Sequence, residues 1–162
     1  MSERKTQADY PSDREMVFTR VFDAPREMVW KAWTDPKIVV LWWGPQGFTN
    51  TIHEMEVRVG GIWRLTMHGP DGTDYPNRIE YLEVEKPSRM VYHHGEDDAN
   101  PHMFHVTTDF IDQDGKTKIV MRMLFKTPEE CEATKAFAVE GHNSTMDRLD
   151  TMLAKMQPTE KG

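Results

Sequence analysis

One histidine, His142, occupies the position in this sequence that most suggests a chemical role. If residues 128–156 form a helix, 100° per residue places it at the centre of an apolar face. That face also carries Cys131, Lys135, Ala138, Met146, Leu149, Leu153 and Met156. Two interpretations are open. His142 is either a core residue hydrogen-bonded to a neighbour, or it faces a cavity where a ligand or water satisfies it.

The glycine before this histidine, Gly141, supports the idea of an unusual environment. A glycine inside a helix costs about 1 kcal/mol relative to alanine. A close backbone approach, or a kink beside a cavity, would explain its presence.

Four of the seven histidines raise the question of a metal site, because His93, His94, His102 and His105 flank the acidic residues 96–98. A hairpin would bring His94 and His102 near each other. However, the spacing of His102 and His105 sends their side chains to opposite faces of a regular strand. We therefore expect a solvated hairpin end, no zinc-type site and no cofactor.

Other catalytic patterns are missing from the sequence. It has no Ser-His-Asp order, no Gly-rich phosphate loop and no nucleophilic-cysteine motif. The single cysteine, Cys131, is expected to be an inert core thiol. No catalytic residue is predicted, and enzymatic activity is left as an open alternative.

Length and charge limit the class of protein. The 162 residues suit one domain, predicted over residues 14–157 after a flexible segment at 1–13. The net charge of -7 leaves no basic surface for nucleic acid or for an anionic membrane. One cysteine and no apolar signal segment indicate a cytoplasmic protein, either a monomer or a homodimer.

Hydrophobic periodicity predicts an α+β fold. A strand starts at Glu15, and Pro25 and Pro36 each begin a short helix. Six strands follow, at 49–59, 62–68, 77–86, 89–94, 102–112 and 116–126. The last element is a helix over about 128–156, with a capping box at 127–130 and Pro158 closing it.

The order of these elements and several motifs resemble the family of activator of heat-shock-protein-90 ATPase homologues, in the START-like (SRPBCC) superfamily. Trp42-Trp43-Gly44-Pro45 is the most specific of the motifs. The others lie at 22–25, 29–36, 47–49, 59–64, 69–72, 83–91, 141–142 and 144–149. The resemblance implies a helix-grip fold, in which a curved antiparallel sheet of about six to seven strands surrounds a long C-terminal helix.

The resemblance also implies a hydrophobic cavity between sheet and helix. The family often has tryptophan where this chain has His142, and the smaller imidazole would enlarge the cavity and add a hydrogen-bonding group. The predicted cavity lining combines His142 with residues chosen by strand alternation. It consists of Trp43, Trp63, Leu65, Met67, Phe104, Val106, Thr108, Phe110, His142 and Met146.

Three functions are compatible with these features. The first is binding of a small hydrophobic or aromatic molecule in the cavity. The second is a protein-interaction role, such as a chaperone accessory in the stress response, which rests on the family resemblance. The third is a cyclase- or hydrolase-like enzyme that would use His142 as a general acid or base.

Overall fold

An open antiparallel sheet of eight strands wraps around one long helix in the computed structural model, which describes residues 6–157. The strand order is β1-β2-β8-β7-β6-β5-β4-β3. The elements are β1 (Gln7–Asp9), β2 (Glu15–Phe22), α1 (Arg26–Thr34), α2 (Pro36–Trp42), β3 (Thr49–Met55), β4 (Ile62–His68), β5 (Asp74–Glu85), β6 (Arg89–Gly95), β7 (Phe104–Gln113), β8 (Lys116–Phe125) and α3 (Pro128–Met156). This is the helix-grip arrangement that the sequence predicts.

The eighth strand comes from the segment that the sequence predicts to be flexible. Within that segment, residues 7–9 form β1 and pair with β2 in the register Ala8↔Phe18. A three-residue strand of polar sequence has no periodicity to reveal it, and only its partner strand keeps it extended. Residues 1–5 and Pro158 lie outside the described part of the chain.

Two strand boundaries also differ from the prediction by three residues or more, for local reasons. β3 ends at Met55 because the chain then turns, with the N–H of Gly61 donating to the carbonyl of Arg58, and Val59 is 64% exposed. β5 begins at Asp74 and includes Pro76. Because β6 pairs only from Arg78 onward, this part of β5 has a free edge that tolerates proline.

Tryptophans from the two short helices fill one end of the concave face of the sheet. Trp33 and Trp42 are fully buried, and their ring centroids lie 5.0 Å apart in an edge-to-face contact. The indole nitrogen of Trp42 donates to the carbonyl of Ala32 over 2.9 Å. Trp33 also meets Phe110 of β7 at 5.4 Å. These edge-to-face contacts pack the rings closely at that end of the sheet.

The C-terminal half of α3 is anchored by two arginines. Arg20 of β2 is 5% exposed and donates to Asp147 over 2.8 Å and to Asp150 over 2.6 Å. Arg148 of α3 donates to the carbonyls of Leu41, Gly44 and Pro45 over 2.8–2.9 Å. The helix is therefore bonded to β2 on one side and to the loop after α2 on the other.

The N-terminal half of α3 packs less closely. The Thr127 hydroxyl accepts a hydrogen bond from the Glu130 N–H, so the predicted cap is present. From Pro128 to Thr145, however, Cys131 is the one fully buried residue, and Phe137 is 66% exposed. This half of the helix lies over the part of the sheet that the tryptophans leave uncovered.

The buried arginine gives a stability prediction. Replacing Arg20 by Met removes two charge-assisted hydrogen bonds and should lower the free energy of unfolding by about 2 kcal/mol. Urea denaturation measures this change. The matched control is Arg122→Met on neighbouring β8, whose exposed pair with Glu15 spans 3.5 Å and should contribute less than about 1 kcal/mol. Equal losses in the two variants would contradict the anchoring role of Arg20.

Candidate functional site

A cavity of about 250 Å³ lies between the concave face of the sheet and the N-terminal half of α3. It is lined by Phe18, Trp33, Trp43, Gly44, Pro45, Met67, Tyr92, His94, Phe104, Val106, Met121, Met123, Phe137, Ala138, Gly141, His142, Thr145 and Met146. Most of these side chains are apolar, and four of them are methionines. A cavity of this composition is typical of sites that bind small molecules.

Six of the ten residues that the sequence predicts for the lining do line it. They are Trp43, Met67, Phe104, Val106, His142 and Met146. Their location is therefore as predicted, while their contact with a ligand stays a prediction.

The other four predicted residues, Trp63, Leu65, Thr108 and Phe110, are not part of this lining, and a contact between them and a ligand also stays a prediction. Phe110 packs between Trp30 and Trp33, with ring centroids 5.3 and 5.4 Å away. Trp63 lies 4.9 Å from Trp43, edge to face. Strand alternation identified the correct face, but the tryptophans of α1 and of the α2 region fill one end of it.

Several further lining residues follow the same strand alternation but are not among the predicted ones. Tyr92 and His94 share the inner face of β6, and Met121 and Met123 share that of β8. Phe18 of β2 lies opposite α3. Strand alternation could not predict that Pro45 lines the cavity, because Pro45 lies in the loop after α2 and its position depends on how that loop folds back against α3.

The His142 ring lies in the cavity wall and stacks on Phe18, with centroids 4.3 Å apart and planes inclined by 15°. No described residue forms a hydrogen bond with either ring nitrogen. Burial, with a smaller contribution from the nearby charge of Arg20, lowers the pKa of His142 from 6.5 to about 4. The imidazole is therefore neutral at physiological pH, with one donor and one acceptor nitrogen.

The structure defines the tautomer of the second cavity histidine, His94. Its Nε2 lies 2.6 Å from Oδ1 of Asn77, and the amide nitrogen of Asn77 donates to the carbonyl of Tyr75 over 3.2 Å. That second bond orients the amide, so Oδ1 accepts and Nε2 must carry the proton. Burial lowers the pKa of His94 to about 4, so the ring is neutral and Nδ1 is an acceptor.

The remaining ionisable group in the wall is Tyr92. It is 2% exposed, and burial raises its pKa to about 12, so the phenol stays protonated. The described lining therefore holds no formal charge at neutral pH. Besides the indole N–H groups of Trp33 and Trp43, its polar side chains are two neutral imidazoles, one phenol and the Thr145 hydroxyl, which donates to the carbonyl of Gly141 over 3.0 Å.

Gly141 does not make the close backbone approach that the sequence suggested. The nearest atom to a β-carbon built at Gly141 would be Cγ of Pro45, at 4.0 Å, so a side chain would meet little resistance. The glycine instead leaves space where the cavity lining meets solvent, because its neighbour in the lining, Phe137, is largely exposed.

The other histidines lie away from the cavity. His93 stacks on His102 with centroids 3.7 Å apart, and His105 lies 5.4 Å from His93. His102 precedes β7, so strand alternation does not separate it from His105, contrary to expectation. Among residues 6–157, no group of three or more His, Cys, Asp and Glu side chains has a geometry suited to a metal ion.

Cys131 also lies outside the cavity lining. It is fully buried with Met16, Phe18 and Phe125, and burial raises the pKa of its thiol. A protonated, enclosed thiol is a poor nucleophile.

The family model of the Activator of Hsp90 ATPase homolog 1-like protein matches residues 23–154, and the chain belongs to this family. No curated protein has a sequence that matches the chain. Family membership is compatible with a ligand-binding or an accessory role and specifies neither a ligand nor a partner. No helix in the described part of the chain combines the length and the apolar character needed to cross a bilayer.

Several solved structures share the fold. A protein from Mycobacterium smegmatis is 26% identical, with a TM-score of 0.84 over 94% of this chain and 99% of its own. One from Rhodobacter sphaeroides is 25% identical, with a TM-score of 0.82 over 94% and 100%. One from Silicibacter pomeroyi is 20% identical, with a TM-score of 0.70 over 88% and 99%, and supports the fold alone.

The neutral histidines predict a particular dependence of stability on pH. Because the folded pKa of His142 is about 4 and its ordinary value is 6.5, the unfolded chain binds the proton first as the pH falls. The free energy of unfolding should therefore decrease between pH 6.5 and about 4.

Replacing His142 by Phe should make this decrease smaller, because phenylalanine keeps the ring on Phe18 and cannot be protonated. Denaturant titrations at several pH values measure the slope. The exposed His53, replaced by Gln, is the control and should retain the wild-type slope. If His142→Phe keeps the full slope, the ring is not held neutral by burial.

Proposed function

We propose that this protein binds a small hydrophobic molecule in the cavity between the sheet and α3. The observation that carries the proposal is an apolar-walled space of about 250 Å³ between the sheet and α3. An apolar cavity of about 150 Å³ is known to bind benzene, so this larger one suits a molecule of about two fused rings.

The structure around the cavity favours binding. Each Å² of apolar ligand surface removed from water contributes about 25 cal/mol. The C-terminal half of α3 is held by Arg20 and Arg148, so the cavity exists before a ligand arrives. Met67, Met121, Met123 and Met146 surround it, and flexible methionine side chains adjust to ligands of different shape.

The same groups fit catalysis less well. A general base works best when its pKa lies near the working pH. Burial holds the pKa of both His94 and His142 at about 4, and the pKa of Tyr92 at about 12. None of the three is tuned for proton transfer near neutrality, which supports binding over an enzymatic role.

Binding can be tested with naphthalene as the probe and isotope-labelled methionine methyl groups as the NMR reporter. The signals of Met67, Met121, Met123 and Met146 should shift on addition of naphthalene, because these residues line the cavity. The signal of Met103, which is 42% exposed at the surface, should not.

A pair of variants on α3 separates cavity binding from surface adsorption. Ala138→Trp places a large ring in the cavity and should abolish the shifts, whereas Ala136→Trp adds the same ring at an exposed position and should not. If no cavity methionine responds in the wild type, or if both variants respond alike, the proposed function is contradicted.

A further inference from the structure

The cavity wall discriminates between ligands by charge. A buried charged group needs a partner of opposite sign, because leaving it unpaired is very costly. The described lining includes no Asp, Glu, Lys or Arg side chain. Arg20, the cation whose charge acts on His142, already donates to Asp147 and Asp150. The wall therefore suits an uncharged ligand.

The wall also contains a polar atom of defined character. The bond from Nε2 of His94 to Asn77 leaves Nδ1 as an unprotonated acceptor, and no described residue donates a hydrogen bond to it. The ring is half-buried in the wall, with the ring centroids of Phe104 4.8 Å away and of Tyr92 6.5 Å away. When an apolar ligand displaces water from this acceptor, binding costs free energy unless the ligand itself supplies a donor.

The other cavity histidine, His142, has no such fixed tautomer. His142 has no hydrogen bond to a described residue, so nothing in the wall determines which of its nitrogens carries the proton. It can donate to a ligand or accept from one. His94 can only accept.

We propose that His94 is the specificity-determining residue of the cavity, and that Nδ1 of His94 selects uncharged apolar ligands bearing a hydroxyl group, which donates its O–H to that nitrogen. This inference rests on the proposed function and adds the chemical class of the ligand. It predicts preference for a hydroxyl over a methyl group of the same size, and exclusion of the corresponding carboxylate.

The test is a thermodynamic cycle between ligand and residue. Naphthol and methylnaphthalene, substituted at the same ring position, have similar shape and differ in the O–H donor. Affinities for both are measured by calorimetry on the wild type and on His94→Phe. The substitution should reduce the affinity for naphthol about fivefold to tenfold more than the affinity for methylnaphthalene. This is the usual effect of losing one neutral hydrogen bond. Naphthoate should bind the wild type about a hundredfold more weakly than naphthol, because its charge finds no partner.

Two further variants identify the acceptor. His53→Phe changes an exposed histidine outside the lining and should leave the preference for naphthol over methylnaphthalene as in the wild type. His142→Phe tests the competing site. If it removes the hydroxyl preference while His94→Phe retains it, the assignment to His94 is overturned.

A measurement on the wild type covers the case in which His94→Phe fails to fold, since that change leaves Asn77 without its partner. The nitrogen NMR resonance of His94 Nδ1 should move on addition of naphthol and stay in place with methylnaphthalene. If both compounds bind without moving it, the selectivity proposal fails and the proposed function stands. If neither compound binds, the proposed function itself fails.

Discussion

The structure depends on the anchoring of one half of α3. Arg20 joins the helix to β2 through Asp147 and Asp150, and Arg148 joins it to three carbonyls of the segment that contains Trp43. Both sets of bonds involve the C-terminal half of the helix, where Leu149 and Leu153 are fully buried. Because a helix is stiff, fixing this half also determines where the other half lies. That other half spans the concave sheet where no tryptophan fills it, and the cavity is the result.

The polar groups of the cavity follow from the same enclosure. A buried histidine becomes neutral because its charged form loses its hydration, and a buried tyrosine stays protonated for the same reason. His142 is accommodated by stacking on Phe18, and His94 by its bond to Asn77. The cavity therefore combines an apolar wall with hydrogen-bonding atoms that carry no charge. Such a wall can orient an uncharged ligand through hydrogen bonds.

Local sequence signals predicted the elements well and the site in part. The Thr127 cap and the apolar stripe predict α3 with the observed bounds, and the same stripe places His142 on the side facing the sheet. Alternation along β7 could not distinguish Phe104, which lines the cavity, from Phe110, which packs against Trp33. That distinction depends on where α1 packs. The tautomer of His94 likewise depends on Asn77, a residue of a neighbouring strand, so it required the structure.

The cavity carries a cost in stability, and this cost bears on its use. Empty apolar space in a core costs about 24 cal/mol per Å³ when fully enclosed. A partly enclosed cavity of about 250 Å³ therefore lowers the free energy of unfolding by several kcal/mol. The total free energy of unfolding of such a domain is expected to be about 5–15 kcal/mol. Larger side chains at Ala138 or Gly141 could occupy part of this space, and at Gly141 no atom stands closer than 4.0 Å to a built β-carbon. The small residues keep the space open, and an apolar ligand would restore the missing contacts, so occupancy should stabilise the fold by an amount that rises with the affinity and the concentration of the ligand.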